Sequence, residues 1–240
     1  MALFASKPKF NNTILQHLDD ASIERLKLKP VKLERNHTIE SPGEPIRHLY
    51  FIEEGIGSMT NTFKDGAQVE VGMFGCESVM GASALMGTLR SLNKVYVQLA
   101  GHGFVSPVEL AAREFQRGER FHDLILRFVQ AQLVQTAQTA GCNGRHNVEQ
   151  RLSRWLLLCH DRANSDVMDL TQEFLSDMLG VGRPTVSIVA GTLEERGMIH
   201  YRRGKVSIRA RKELERTACE CYHIVRDHLA NYARDTAVEA

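Results

Sequence analysis

Seven basic residues fall between positions 196 and 212 of this chain (Arg196, Arg202, Arg203, Lys205, Arg209, Arg211 and Lys212), and no acidic residue interrupts them. Guanidinium and ammonium groups at that density suit contact with the phosphates of a nucleic acid; the plainer alternative is a solvated charge cluster. From Ser41 to Leu89 the balance reverses, with Glu44, Glu53, Glu54, Asp65, Glu70 and Glu77 against Arg47 and Lys64. A chain acidic in front and basic behind points to nucleic acid handled at one end only. The five cysteines (Cys76, Cys142, Cys159, Cys219 and Cys221) are odd in number and lack disulfide-framework spacing. Reduced thiols and a cytoplasmic setting follow. Within one helix, Cys219 and Cys221 would point to different faces, so no metal site is expected. Ten histidines are scattered and none lies near Cys76 in sequence, which argues against haem. No P-loop, His-Glu-x-x-His, nucleophile–base spacing or paired-carboxylate motif appears, so the expected chemistry is recognition and the chain is not expected to be an enzyme.

The elements that must position these residues sit in an ordinary globular composition: 240 residues, 43% hydrophobic, 25% charged, formal net charge +1. A histone-like basic chain is excluded. Apolar runs such as Trp155–Cys159 are far shorter than the roughly 20 residues of a membrane span, and no signal peptide is read at the start.

Residues 11–29 read as one short helix, with Ile14, Leu15, Leu18, Ile23 and Leu26 near helical spacing. From Val31 to about Val108, short β-branched and aromatic runs such as Leu49–Ile52, Gln68–Val71 and Lys94–Leu99 alternate with turn residues, the pattern of an antiparallel roll or barrel. Asp65-Gly66 predicts a two-residue type I′ hairpin turn. From about Ala111 the chain turns helical. Phe121, Leu124, Ile125, Phe128, Leu133 and Val134 mark a long amphipathic helix ending near Gly141. Its apolar side is either core or a dimer seam, with Ala131 and Ala137 allowing close approach. The seam is the reading preferred, centred on Leu124, Phe128 and Ala131. Val148–His160 is the next helix. Thr171 then caps a helix that ends at Gly180, and Val181-Gly182 leads into a second helix opened by Arg183-Pro184. Two strands around Arg202-Arg203-Gly204 follow as a basic-tipped wing, then a helical extension over about 210–234. Helix, tight glycine turn, proline-started helix and basic hairpin form a winged helix-turn-helix.

This order resembles the Crp/Fnr family of bacterial transcription regulators. The resemblance runs from about Ile14 to Ile208 and is most specific over Leu170–Ile208, where Thr171-Gln172-Glu173, Gly180-Val181-Gly182-Arg183, Thr185-Val186 and Leu193–Ile199 follow the family's pattern. In front, Gly43-Glu44, Gly55 and Gly72-Met73-Phe74-Gly75-Cys76-Glu77 follow the roll's pattern, with Cys76 where a second glycine usually stands. The resemblance implies an α+β fold: an N-terminal antiparallel, jelly-roll-like β-roll for effector sensing (1–115), a dimerisation helix (116–143), and a winged helix-turn-helix with a helical extension (144–240). It implies a homodimer that reads an inverted repeat in double-stranded DNA, modulated by an effector in the roll, with RNA polymerase as a further partner. A ligand or redox sensor acting through a protein partner is the alternative, and the wing's unbroken positive run argues against it.

The departures narrow the effector. Cyclic-nucleotide-binding relatives grip the cyclic phosphate with an Arg-Ser or Arg-Thr pair, since a guanidinium meets a phosphate bidentately. Here Arg90-Ser91 stands about three residues too early, so a cyclic nucleotide is not expected. No cysteine precedes Cys76, so an iron–sulfur cluster is not expected either. The effector pocket is placed at Met73, Gly75, Cys76, Glu77, Met86 and Arg90; an apolar or redox effector, or a roll core without a ligand, both stay open. On the second helix the exposed face is Arg183, Pro184, Ser187, Ile188 and Gly191. By resemblance Arg183 falls on the guanine-reading arginine, a bidentate contact to O6 and N7. Ile188 suits an apolar contact to a thymine methyl. Thr171, Arg202, Arg203 and Lys205 are the phosphate-contact candidates.

Overall fold

The computed structural model describes residues 10–163 and 165–234. The segment read as one helix over 11–29 is two, α1 (Thr13–Gln16) and α2 (Asp20–Leu26), because it carries two caps. Asn12 Oδ1 accepts from the Ile14 and Leu15 N–H groups, and Asp19 Oδ1 accepts from the Ser22 N–H at 2.6 Å.

Six strands follow: β1 (Lys29–Leu33), β2 (Thr38–Glu40), β3 (His48–Thr62), β4 (Gln68–Phe74), β5 (Val79–Met80) and β6 (Lys94–Pro107). They pair antiparallel in the order β1-β6-β3-β4, with β2 on β6 and β5 on β3. This is the expected roll. The long β3–β6 ribbon shifts register repeatedly between Ile52 and Gly57. The shift passes through Gly55, whose φ is +104° and where an added Cβ would stand 2.8 Å from the Leu99 carbonyl oxygen, too close to fit. Asp65-Gly66 does turn β3 into β4, but not as a type I′ turn. Gly66 alone takes a positive φ, +86°. The Phe63 and Ala67 main chains pair around a three-residue loop, and the Asp65 carboxylate accepts from the Ala67 N–H. The two successive positive φ values that type I′ needs occur instead at Arg203 and Gly204.

Helix α3 (Val108–Gln116) leads into α4 (Arg120–Arg145), which runs a turn past Gly141. The buried stripe of α4 belongs to its own protomer. Phe121, Leu124, Ile125 and Phe128 close the roll's core against residues such as Ile14, Leu49, Phe51 and Val95, while Ala131 joins the rear core. The seam expected at Leu124, Phe128 and Ala131 is therefore corrected, since these residues are 0%, 2% and 4% exposed. The opposite side of α4 exposes Leu126 (43%), Gln130, Leu133 (68%), Ala137, Ala140 and Gly144. Those positions alternate four and three apart, the 3.5-residue spacing of a coiled-coil seam.

Only His146 and Asn147 separate α4 from α5 (Val148–His160), where Asn147 and Gln150 form a capping box. Beyond lie β7 (Val167–Asp169), α6 (Gln172–Leu179), α7 (Arg183–Glu195), β8 (Ile199–Arg202), β9 (Lys205–Ile208), α8 (Arg211–Thr217) and α9 (Cys221–Asn231). Strands β7-β9-β8 make a small antiparallel sheet. The rear core gathers Leu152, Leu156, Leu175, Leu179, Val186, Leu193, Ile199, Val206 and Leu214, together with Tyr222 and Val225 from α9.

The extension read as a single helix is broken at Ala218–Glu220. Cys219 thus precedes the helix that Cys221 begins, and the argument from opposite helix faces fails. Both are buried beside Cys142 of α4. Roll and rear domain pack together through buried polar contacts: the Trp155 indole N–H donates to Glu70 Oε1 at 2.8 Å, and Arg162 Nη2 lies 2.8 Å from Glu77 Oε1.

Candidate functional site

A Thr171-capped α6, a left-handed Gly180 and a Pro184-opened α7 place two short helices against the rear core. Thr171 Oγ1 accepts from the Phe174 N–H at 3.1 Å, and Gly180 takes φ +61° so that the chain can reverse. The buried face of α7 is Val186, Ala190 and Leu193. Its outer face presents Arg183, Pro184, Ser187 and Ile188, all exposed, with Gly191 half-buried. Ile188 is 71% exposed, a large apolar side chain held in solvent in the middle of a polar helix face.

The wing completes the surface. Arg202 pairs with Lys205 across a two-residue turn, Arg203-Gly204, with φ of +52° and +74°. The Leu170 N–H donates to the Gly204 carbonyl at 2.7 Å, which pins the wing to the start of α6. A concave surface forms between wing and helices, lined by Thr171, Gln172, Arg183, Tyr201, Arg203 and Gly204, with two guanidinium groups and no carboxylate among the described residues. Three sequence candidates (Thr171, Arg183 and Arg203) thus share one depression. Arg202 is exposed but does not line the depression. Lys205 Nζ stands 3.6 Å from Asp169 Oδ1, so its charge is partly matched within the protomer. Gln172 and Tyr201 were missed. Gln172 Nε2 donates to Ser187 Oγ at 3.4 Å, and the Tyr201 hydroxyl donates to the Leu170 carbonyl at 2.9 Å. A polar residue just after an N-cap was the available signal for Gln172.

The effector candidates scatter. A cavity of about 170 Å³ lies between the roll and α4, lined mainly by Met59, Phe74, Val79, Ala82, Met86, Leu92, Val95, Phe128 and Val129. Its polar members are Glu40, Ser83, Ser91, Asn93 and Gln132, and its lining carries no cation among the described residues. Of the six residues placed there from sequence, only Met86 lines it. Met73 turns to the rear core, its sulfur 3.9 Å from Cys159 Sγ. A Cβ on Gly75 would collide with Glu77 and Arg162. Glu77 is engaged by Arg162, and Arg90 points outward to donate to the Gly43 carbonyl at 2.6 Å. Burial, reinforced by the charge of Glu77, pushes the Cys76 thiol up, which disfavours the reactive thiolate. Glu40 is the ionisable group in the lining: it accepts from Gly81 N–H at 2.9 Å and Ser91 Oγ at 2.7 Å, and burial raises its pKa. Gln132 Nε2 is buried without a hydrogen-bond partner among the described residues.

Comparison with known proteins agrees with this division of the chain. Residues 30–98 match the cyclic nucleotide-binding domain, and residues 150–217 match the Crp-like helix-turn-helix domain. The global nitrogen regulator of Nostoc sp. is 25% identical over 190 residues, covering 73% of this chain and 82% of the relative. The solved structure of a protein assigned to the Crp/Fnr regulators, from Eubacterium rectale, superposes with a TM-score of 0.69 at 13% identity, over 85% of this chain and 96% of that one. FixK2 from Bradyrhizobium japonicum superposes with a TM-score of 0.68 at 15% identity, over 80% and 98% respectively.

Proposed function

Because this chain belongs to the Crp/Fnr family and is a DNA-binding transcription regulator, we propose that it works as a homodimer reading an inverted repeat, tuned by a molecule in the roll cavity. The observation that carries this is the depression lined by Arg183 and Arg203, which joins a base-reading helix to a phosphate-gripping wing. Homodimerisation is supported by the exposed heptad stripe from Leu126 to Gly144. Two such helices packed in parallel present two copies of α7 to successive major-groove turns, roughly 10 bp apart. RNA polymerase belongs to the same proposal, as the machinery a regulator in the cytoplasm acts on. The reading in which the wing docks a protein is not favoured, since nothing about the depression selects a polypeptide over phosphate.

The cavity's chemistry supports a neutral, largely apolar effector. An anionic cyclic phosphate would meet Glu40 and no cation in that lining, whereas the mostly apolar side chains suit a neutral molecule. Among the described residues, no arrangement in the cavity's lining supports haem or an iron–sulfur cluster as that effector.

The test is binding of Arg183→Ala and Arg203→Ala to a selected operator and to scrambled DNA across a salt series. Arg183→Ala should lose ~1–3 kcal/mol on the operator alone, from the missing guanine contact. Arg203→Ala should weaken both and lower the salt slope by about one unit. An unchanged operator-to-scrambled ratio in Arg183→Ala would refute the placement of α7 in the groove.

A further inference from the structure

Four side chains from two chain segments converge at the joint between the two domains. Cys142 lies in the last turn of α4, His146 caps that helix, and Cys219 and Cys221 flank the turn between α8 and α9. Their ligand atoms all lie within 4.8 Å of one another. Cys142 Sγ and Cys219 Sγ are 3.5 Å apart, and Cys221 Sγ is 3.6 Å from His146 Nδ1. A tetrahedral zinc ion, with Zn–S of about 2.3 Å and Zn–N of about 2.0–2.1 Å, sets its sulfur–sulfur edges near ~3.8 Å and its sulfur–nitrogen edges near ~3.5 Å. These two spacings are within a few tenths of an ångström of those edges, and the other four are no longer than 4.8 Å.

Several features go beyond proximity. His146 Nε2 stands 3.3 Å from Glu220 Oε2. A carboxylate there accepts a hydrogen bond from Nε2–H, which keeps the proton on Nε2 and leaves Nδ1, the atom facing Cys221, as the lone-pair donor, the usual arrangement behind a metal-bound histidine. Gln138 Nε2 donates to Cys221 Sγ at 3.0 Å, a contact suited to a thiolate. Charge is prepared for as well. Three thiolates, one neutral imidazole and a divalent cation sum to −1. Arg154 lies within electrostatic reach of Cys142, and Arg151 of both Cys142 and Cys219. Arg154 Nε and Nη1 and Arg151 Nε are buried without hydrogen-bond partners among the described residues. The ligand atoms are too close together for an iron–sulfur cluster, whose thiolates must stand around several metal atoms, but they suit a single ion.

We propose that Cys142, His146, Cys219 and Cys221 form a Cys3His site for one zinc ion per protomer, which fastens the C-terminal helices to the α4–α5 joint. Binding replaces three thiol protons, released to solvent, with one Zn²⁺ and involves no change of oxidation state. Its position bears on function: Cys142 and His146 belong to the helix that lines the effector cavity, whereas α8 and α9 pack on the DNA-binding core. The proposal stands independently of the effector reading.

The test uses the full-length protein, purified under reducing conditions and stripped of metal. Titration with zinc against a competing chelator should give one equivalent per protomer. Cobalt in its place should show the intense visible bands and thiolate charge-transfer absorption of a tetrahedral thiolate site. Glu220→Gln, which removes no ligand, should weaken zinc binding by about 10–100-fold with unchanged circular dichroism. Amide exchange over Cys221–Asn231 should slow on zinc addition. The proposal is overturned by substoichiometric zinc, by an octahedral cobalt spectrum, by unaltered affinity in Glu220→Gln, by exchange over Cys221–Asn231 that zinc leaves unchanged, or by a Cys142–Cys219 disulfide in protein taken from the cytoplasm. Should Cys142→Ser fail to fold, Cys221→Ser, which truncates the first residue of a helix, gives the same reading of ligand loss.

Discussion

The carboxyl of Glu70 is the most consequential buried group in the interface between roll and DNA-binding domain, and its removal makes a quantitative prediction. Burial pushes its pKa up from the ordinary 4.5 to about 7, although hydrogen bonds from Ser58 and Trp155 and the charges of Arg154 and Arg162 pull the other way. The hydrogen bonding explains why a proton is welcome. The Ser58 hydroxyl has one proton and faces two acceptors, Glu70 Oε2 and Gln98 Oε1. A protonated Glu70 can donate to Ser58, leaving Ser58 to donate to Gln98. Because the folded state holds this proton to higher pH than the unfolded chain, the unfolded chain binds fewer protons between about pH 4.5 and 7, and stability falls as pH rises through that window. At 1.36 kcal/mol per pH unit the site forfeits about 3 kcal/mol by pH 8. Glu70→Gln keeps the shape, supplies the N–H that Ser58 accepts, and still accepts from the Trp155 indole. Urea unfolding at pH 5.5 and at pH 8 should therefore show a smaller pH dependence in the variant, which becomes the more stable protein at pH 8 by up to about 3 kcal/mol. Parallel pH profiles for the two proteins, or a variant weaker at pH 8, would refute the reasoning.

Other predictions address assembly, ligand and wing. Leu133→Asp should give folded monomers by light scattering, whereas Leu124→Asp should lose the roll's cooperative melting, because Leu124 is fully buried in its own protomer; a Leu133→Asp dimer would refute the seam. Cyclic AMP should produce no calorimetric binding at micromolar protein, and heat abolished by Arg90→Ala would overturn that. Gly204→Val forces a β-branched residue to φ +74°, at a cost of ~1–2 kcal/mol, and should weaken operator and scrambled DNA alike. Loss of operator discrimination alone would show that the turn aims a base contact.

What was legible in the sequence follows from how local its causes are. Helix α5 over Val148–His160, the Thr171 cap, the Gly180 stop and the Pro184 start each depend on residues within one turn, and all lie where sequence places them. The wing's strands were legible for the same reason, although the three-residue β7 was too short to announce itself. The buried face of α4 was misread as a seam because periodicity reports that a face is apolar without saying what covers it. Phe121, Leu124, Ile125 and Phe128 are covered by the chain's own roll, while the sparser Leu126–Leu133 side is left to solvent. The cavity escaped because Glu40, Ser91 and Gln132 come from three distant segments. The thiol cluster escaped for a similar reason: Cys142 and Cys219 are 77 residues apart, and the break at Ala218–Glu220 removes the helix on which their orientation was judged.

Helix α4 also has mechanical properties. Its 26 residues form an unbroken strut about 39 Å long, packed by the roll near its start and by α9 and the thiol cluster near its end, and leading into a two-residue joint. Phe128 and Gln132 touch the cavity, and roughly 26 Å of helix separates Phe128 from Arg145. By geometry alone, a tilt of about 5° at the cavity corresponds to roughly 2 Å at the far tip, and any such tilt must be shared by the contacts that hold Gln135 to Met73, Thr139 to Arg154 and Cys142 to Cys219. A molecule that wedges Phe128 outward therefore loads those contacts as well.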